Sequence, residues 1–405
     1  MLNKPDYITA RDLLLRTVRP VQTERIPLWE AAGRVLAEDV FAAENVPSFD
    51  KSPYDGYALR SADTREASAD APVTLRIVEE VAAGAVPAGV CTEGTAVKIL
   101  TGAPIPPGAD AVVMFEKTHF TAEEVTLFAP ARPGENVIRV GEDVRKGELL
   151  AASGAVIDPG TLGTLAAQGI AQPEVFRVPR VGILSTGNEL VEPGEPCGEG
   201  KIYNANRFTL MGALRQAGCQ PVYLGLAGDS TEAISEAIDR GLNLCDAVLS
   251  TGGVSVGDYD LTPDAMERAG VHVLLRGIRM KPGMACAYGE REGKLFCGLS
   301  GNPASSLMNF YAVALPALRK LCGRRDVLPR ELELQLRHGF AKKSPSTRLL
   351  RGRLEFAEGR VYLNVPGDQG NIVLSSAMGC DAAAVIPAGS GPIAEGTMLK
   401  GFLLW

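Results

Sequence analysis

The sequence predicts a multidomain chain of α/β and β class. Its parts are a central three-layer α/β domain with a mainly parallel sheet, a β-rich inserted domain, a helical and extended linking domain, and a C-terminal β-barrel-like domain. Three observations predict this. The 405 residues exceed what one compact core organises, and about two to four domains is the expectation at that length. Between residues 177 and 325 short apolar runs alternate with helix-length segments, the mark of βαβ units and a parallel sheet covered on both faces. Before and after that stretch, short β-like runs are punctuated by Pro and Gly. The expected boundaries are 1–23 plus 144–176 for the linking domain, 42–143 for the β-rich insert, 24–41 plus 177–325 for the α/β domain, and 326–405 for the last domain.

The chain opens with an amphipathic helix over Ile8–Val18, with Thr9 as cap and Leu13, Leu14, Leu15 and Val18 as its apolar face; Pro20 ends it. The insert carries "VTLRIVEEV", "TAVKIL", "DAVVMFE" and "EVTLFA" as strands. Thr161–Gly169 reads as a helix that packs beside the first one, since both flank the insert. In the α/β domain "RVGILSTG", "QPVYLGLAGD" and "DAVLSTGGVS" are strands. Asn204 or Asn206 caps the helix "ANRFTLMGALRQAGC", and Asp229 or Ser230 caps "STEAISEAIDRGLNL". Asn302 caps the helix that begins "NPASSLMNF", with Pro303 in its first turn. Five β-like runs follow Gly323.

Composition narrows the function. Apolar residues make up 46% and charged residues 22%, as in ordinary globular domains. A net charge of −7 argues against a nucleic-acid partner, which wants a basic face. The eight cysteines form no C-x-x-C pair and sit mostly in apolar runs, so they read as core thiols of a reducing compartment. Three scattered histidines disfavour a His-built metal site. No signal peptide and no membrane-length apolar run is present, which places the protein in the cytoplasm.

Ligands of open α/β sheets bind outside the carboxyl ends of the strands. Three exits there are polar or glycine-rich: Ser185–Glu189, Gly228–Ser230 and Ser250–Asp260. Each alone is an ordinary turn, but together on one edge they point to a binding site. "ILSTGNEL" and "VLSTGGVS" echo one another, so a parallel sheet would set those loops side by side. Backbone N–H groups of Gly252 and Gly253 suit an anion. Asp258 and Asp260 are hard oxygen donors suited to Mg²⁺. Lys281 closes a strand, and "GLSGNP" opens a helix as a second anion candidate. Neither G-x-x-x-x-G-K-[ST] nor G-x-G-x-x-G occurs, which counts against a nucleotide-sugar or dinucleotide enzyme.

Seven stretches in order, "SPYDGYA", "KILTGAPIPPGADAVV", "GEDV", "STGNEL", "STGGVSVGDYD", "KPG" and "GLSGNPASS", make the chain resemble the molybdopterin molybdotransferases, the MoeA and gephyrin E-domain family. The resemblance covers nearly the whole chain. It implies Mg²⁺-dependent cleavage of adenylylated molybdopterin, insertion of molybdenum from molybdate, and release of AMP. It carries catalytic acids onto Asp55, Asp143, Glu189, Asp229 and Asp260, of which Asp55, Glu189 and Asp260 would hold the metal. Substrate binding falls on Thr101, Ser250, Gly252, Gly253, Ser255, Lys281, Gly301, Asn302, Pro303, Ser375 and Ser376. It also implies a homodimer with shared clefts, and the molybdopterin adenylyltransferase as a partner, with neither nucleic acid nor membrane. The sequence departs from the family pattern in "KSPYDGYA" for NSAMDGYA, in "KPGMA" for KPGKP, where Met284 replaces a cation, and in "GLSGNP" for GLPGNP, where Ser300 replaces Pro. A non-catalytic scaffold on the same fold and a tungstate-handling paralogue are the competing expectations.

Overall fold

The computed structural model describes residues 1–254, 261–357 and 359–404. The chain forms two compact units. One comprises Met1–Glu38, Ser153–Asp158 and Gln172–Trp405; the other comprises Asp39–Ala152 and Pro159–Ala171.

The first unit is built on a seven-stranded sheet. Its strands are β1 (Leu2–Asn3), β2 (Arg180–Thr186), β3 (Gln220–Ala227), β4 (Ala247–Thr251), β5 (His272–Arg276), β6 (Cys286–Arg291) and β7 (Lys294–Leu299), in the order β1-β5-β6-β7-β4-β2-β3. All neighbours are parallel except β5–β6 and β6–β7. Two antiparallel steps restore the direction, so the carboxyl ends of β1, β2, β3, β4, β5 and β7 share one edge with the start of β6. β2 and β4 are buried on both faces, which is why they read as unbroken apolar runs rather than alternating ones.

Helices cover both faces. On one lie α1 (Tyr7–Thr17), α2 (Ala205–Gln216), α5 (Pro303–Asn309) and α6 (Leu315–Leu321), the last two joined by a π-helical turn at Phe310–Ala314. There Leu14, Leu210, Phe310 and Leu318 pack with Ile183, Leu249 and Cys297. On the other lie α3 (Thr231–Leu244) and α4 (Thr262–Arg268), whose Ile234, Ile238 and Met266 pack on Leu184, Val248 and Phe296. Each such large aliphatic side chain contributes about 1.5–3 kcal/mol by leaving water.

One expectation is corrected here. The first helix starts at Tyr7 and is capped by Asp6, whose carboxylate accepts from the Thr9 N–H at 2.9 Å and from its hydroxyl at 2.7 Å; Thr9 is the donor, not the cap. The first helix and the segment 161–169 belong to different compact units. Ala10, Leu14 and Val18 belong to the α/β core, whereas the helix Pro159–Ala167 belongs to the second unit. The apolar stripe of α1 finds its buried surface on α6 and the π-turn.

The same unit ends in a closed five-stranded barrel: β8 (Glu331–Leu336), β9 (Thr347–Ala357), β10 (Arg360–Asn364), β11 (Ala382–Ile386) and β12 (Met398–Leu403), ordered β9-β10-β8-β12-β11 and closed by β9–β11. The short strand Met280–Lys281 adds to β9. In the second unit Ala111–Met114, Gly56–Leu59, Thr95–Ile99, Val73–Val81, Glu124–Leu127 and Thr118–Phe120 form a six-stranded sheet in that order. Among the described residues, no helix is long and apolar enough to cross a membrane.

Candidate functional site

The exits of β2 and β4 meet at the shared edge, because the two strands pair in parallel with Ser185 opposite Thr251. Gly252 and Gly253 have φ of +97° and +65°. A Cβ on Gly252 would lie 2.6 Å from the Thr186 carbonyl, and one on Gly253 2.6 Å from the Thr262 hydroxyl. Both positions therefore need glycine for the backbone conformation and for the close approach. The turn is tied further: Gly252 N–H donates to Leu299 O at 3.0 Å, and the Thr186 hydroxyl donates to Thr251 O at 3.1 Å. Ser250 is fully buried beneath it, and its hydroxyl has no partner among the described residues. Ser255, Asp258 and Asp260 lie outside the described residues.

The β2 exit is held differently. Asn188 N–H donates to the Asp229 carboxylate at 3.1 Å, which brings the two loops together. Glu189 folds back over Gly187, its carboxylate within 2.8 Å of where a Cβ would stand. Thr186, Glu189, Asn204, Thr251, Gly301 and Asn302 line a cavity of about 300 Å³ at this edge. Asn206 donates to Gly301 O at 2.8 Å and fixes the far wall.

At the "GLSGNP" turn the N–H groups of Ala304 and Ser305 both donate to the carbonyl of Asn371, at 3.1 and 3.3 Å. Asn302 occupies the cap position of α5 without a side-chain cap bond. The helix start expected to receive an anion thus already has a carbonyl on two of its donors. Beside it lies a larger cavity, about 680 Å³, with Lys4, Arg276, Met284, Ser300, Asn302 and Asn371 in its wall. Both Met284 and Ser300, the departures from the family pattern, face this space. Lys281 is exposed on the strand that joins β9.

In the second unit Asp55 and Thr101 are brought together. Asp55 accepts from the Thr101 N–H at 2.7 Å and from its hydroxyl at 2.8 Å. These two bonds hold the Asp55 carboxyl below its usual range. Asp143 is exposed on a loop whose N–H donates to Val46 O at 3.0 Å. In the barrel, the Ser376 hydroxyl bonds the Arg351 guanidinium, while Ser375 is exposed. Arg351 is fully buried, also donates to the carbonyls of Gly370 and Val373 at 3.1 Å, and has its pKa lowered by burial.

Sequence reasoning missed a cluster behind the β2 exit. Glu192 accepts from Tyr223 at 2.6 Å, from Arg207 at 2.6 Å and from Asn204 at 3.0 Å. Burial alone would raise the Glu192 pKa, but these three donors together leave it lowered. Burial, and then the bond to Glu192, push the Tyr223 phenol up to about 12. Asn204 carries this order to Ser185 and caps α2. The residues are spread over 185–223 with no motif spacing; only the cap signal at Asn204 was readable.

Carboxylates are hard oxygen donors of the kind Mg²⁺ takes, one or two at a time, with water and phosphate completing its shell. In the first unit Glu189 and Asp229, and separately in the second Asp55, are exposed oxygen donors, and no group of three or more His, Cys, Asp or Glu forms a cage among the described residues.

Residues 6–169 match the MoeA N-terminal region (domains I and II), 182–320 a probable molybdopterin binding domain, and 333–400 the MoeA C-terminal region (domain IV). A molybdopterin molybdenumtransferase of Haemophilus influenzae is 38% identical over 88% of this chain and 85% of its own length. One from Bacillus subtilis is 34% identical over 95% and 90%. The crystal structure of the molybdopterin biosynthesis MoeA protein of Pyrococcus horikoshii superposes with a TM-score of 0.85 at 32% identity, covering 99% of each chain. The α/β sheet and the barrel thus follow a known architecture, and this chain belongs to the MoeA family of molybdopterin molybdenumtransferases.

Proposed function

We propose that this enzyme of molybdenum cofactor biosynthesis takes adenylylated molybdopterin and molybdate, cleaves the adenylate, inserts molybdenum and releases AMP. The observation that supports this best is the convergence of the β2 exit, the β4 exit and the start of α5 on two adjoining cavities that share Asn302. The donors of that edge not already engaged, among them the Ser250 hydroxyl, bind and orient the phosphate-bearing substrate, with the exposed Lys281 as a cation. Asp55, Glu189 and Asp260 would hold Mg²⁺, which when bound supplies charge neutralisation at the phosphoanhydride. Asp55 enters already ionised, because Thr101 stabilises its carboxylate. Asp229 positions the loop that carries Glu189, and Asp143 completes the acidic set.

The working form in this reading is a cytoplasmic homodimer whose clefts draw Asp55 and Asp260 from different subunits, and the molybdopterin adenylyltransferase supplies the substrate. Anaerobic incubation with adenylylated molybdopterin, Mg²⁺ and molybdate is expected to release AMP. Absence of AMP would support the scaffold reading, and replacement of molybdate by tungstate tests metal preference. Mixing Asp55→Ala with Asp260→Ala subunits should restore part of the activity. Mixed dimers that form and stay inactive would refute the shared clefts.

A further inference from the structure

We propose that Lys4, brought to the sheet edge by the N-terminal strand, is an anion-binding residue of the 680 Å³ cavity and supplies, beside Arg276, a positive charge that Met284 does not; its ligand is a tetrahedral oxyanion, molybdate or a substrate phosphate. The proposal rests on the function just given. Its geometry is independent of that function. β1 pairs in parallel with β5, Asn3 opposite Arg276, and Lys4 N–H donates to Arg276 O at 3.0 Å. Pro5 O accepts from Arg279 N–H at 2.8 Å on the far side, so the backbone of Lys4 is fixed at both ends.

Lys4 has φ +45°, which directs its chain away from the line of the strand. The chain lies across Gly277. A Cβ built there would stand 3.1 Å from Lys4 Cγ and 3.6 Å from Cε, and 3.5 Å from the Met284 carbonyl. The lysine stem and the backbone of residue 284 therefore flank one small gap. Lys4 and Met284 share the wall with Arg276, the buried Ser300 and the buried Ser305. Among the described residues, no carboxylate lies within ion-pair distance of the Lys4 ammonium. A side chain at 277 would push the lysine stem aside, so the glycine keeps the cation in place.

The test is titration calorimetry on the full chain, with molybdate alone and with inorganic phosphate alone, for wild type, Lys4→Gln, Met284→Lys and the double variant. Lys4→Gln should weaken one or both anions about tenfold, the scale of a charge-assisted hydrogen bond. Loss for molybdate only assigns the cavity to the metal oxyanion, and loss for phosphate only assigns it to the nucleotide. Met284→Lys should restore binding in the Lys4→Gln background and add less to wild type, because both cations would address one ligand. Unchanged binding of both anions by Lys4→Gln, with circular dichroism intact, overturns the proposal, and so does strict additivity of the two substitutions. If wild type releases AMP while Lys4→Gln matches it in every titration, only this inference falls. If wild type neither binds an anion nor releases AMP, the proposed function falls and takes this inference with it.

Discussion

β2 and β4 run side by side and leave the sheet at one edge, yet their loops are held by opposite means. After β4 the backbone is clamped: Gly252 and Gly253 press against Thr186 and Thr262, leaving no room for a side chain at either position. After β2 the backbone is open, and what fills the space is a carboxylate, Glu189, over Gly187. Two loops with the same Ser-Thr-Gly opening thus separate a packed backbone from a placed acid. The difference teaches that a glycine-rich exit is not in itself a ligand cradle. The β4 glycines are required by packing before any ligand arrives.

The largest effect should come from the acid. Glu189→Gln keeps the shape of the β2 exit and removes its charge. AMP release should fall by about 10²–10³, the scale of losing one charged group at a reacting centre. Stability should stay within about 0.5 kcal/mol, since Glu189 is exposed. A variant that unfolds earlier in urea but turns over normally would break the comparison from this side.

The packed exit should respond the other way. Gly252→Ala forces a Cβ to within 2.6 Å of a backbone carbonyl at φ +97°. Strain and overpacking together should cost about 2–4 kcal/mol, read from the urea midpoint. Gly187→Ala is also strained, at φ +134°, but its new Cβ meets the movable end of the Glu189 side chain rather than a backbone carbonyl, so it should lack the overpacking part of the Gly252→Ala loss and cost less. Equal losses would mean that the two exits are packed alike.

The cluster behind the β2 exit gives a pH signature. Glu192 has a lowered pKa, so its stabilising contribution is present above the unfolded carboxylate pKa and is lost as pH falls through the folded one. Tyr223 is raised to about 12, so its contribution is present below the unfolded phenol pKa and is lost as pH climbs towards that value. Glu192→Gln should cost about 1–3 kcal/mol at neutral pH and flatten the acid limb of a stability-against-pH curve. An unchanged acid limb would show that this cluster does not order the loop.

Much of this was legible in the sequence for physical reasons. The α/β alternation, the shared strand edge and the closed β domain follow from periodicity and turn residues. The resemblance marks Asp55 and Thr101 each as a site residue, but nothing in the sequence pairs them, since they are 46 positions apart in different turns. What stayed hidden depends on long-range packing. The docking of α1 was decided by which apolar surface lay open to Leu14. The Glu192 cluster and the buried Arg351 are held by partners no spacing rule connects. The donors of α5 are taken by the carbonyl of Asn371, more than sixty positions on in the same unit, which no local pattern announces.

That last point yields the smallest and most discriminating prediction. Ser230 and Asn302 both read as helix caps. Ser230 is one: its hydroxyl accepts from Ala233 N–H at 3.1 Å, satisfying a donor at the start of α3. Asn302 occupies the cap position but its side chain makes no cap bond, and the Asn371 carbonyl covers the first donors of α5. Ser230→Ala should therefore cost about 1 kcal/mol, the ordinary worth of a side-chain cap. Asn302→Ala should cost about 0.5 kcal/mol or less, since no orphan donor is created. Asn302 also lines both cavities, so its variant should raise the KM for adenylylated molybdopterin while thermal unfolding barely moves. If Asn302→Ala instead destabilises as much as Ser230→Ala and leaves KM unchanged, the residue is a cap after all and the Asn371 carbonyl does not hold the helix start in solution.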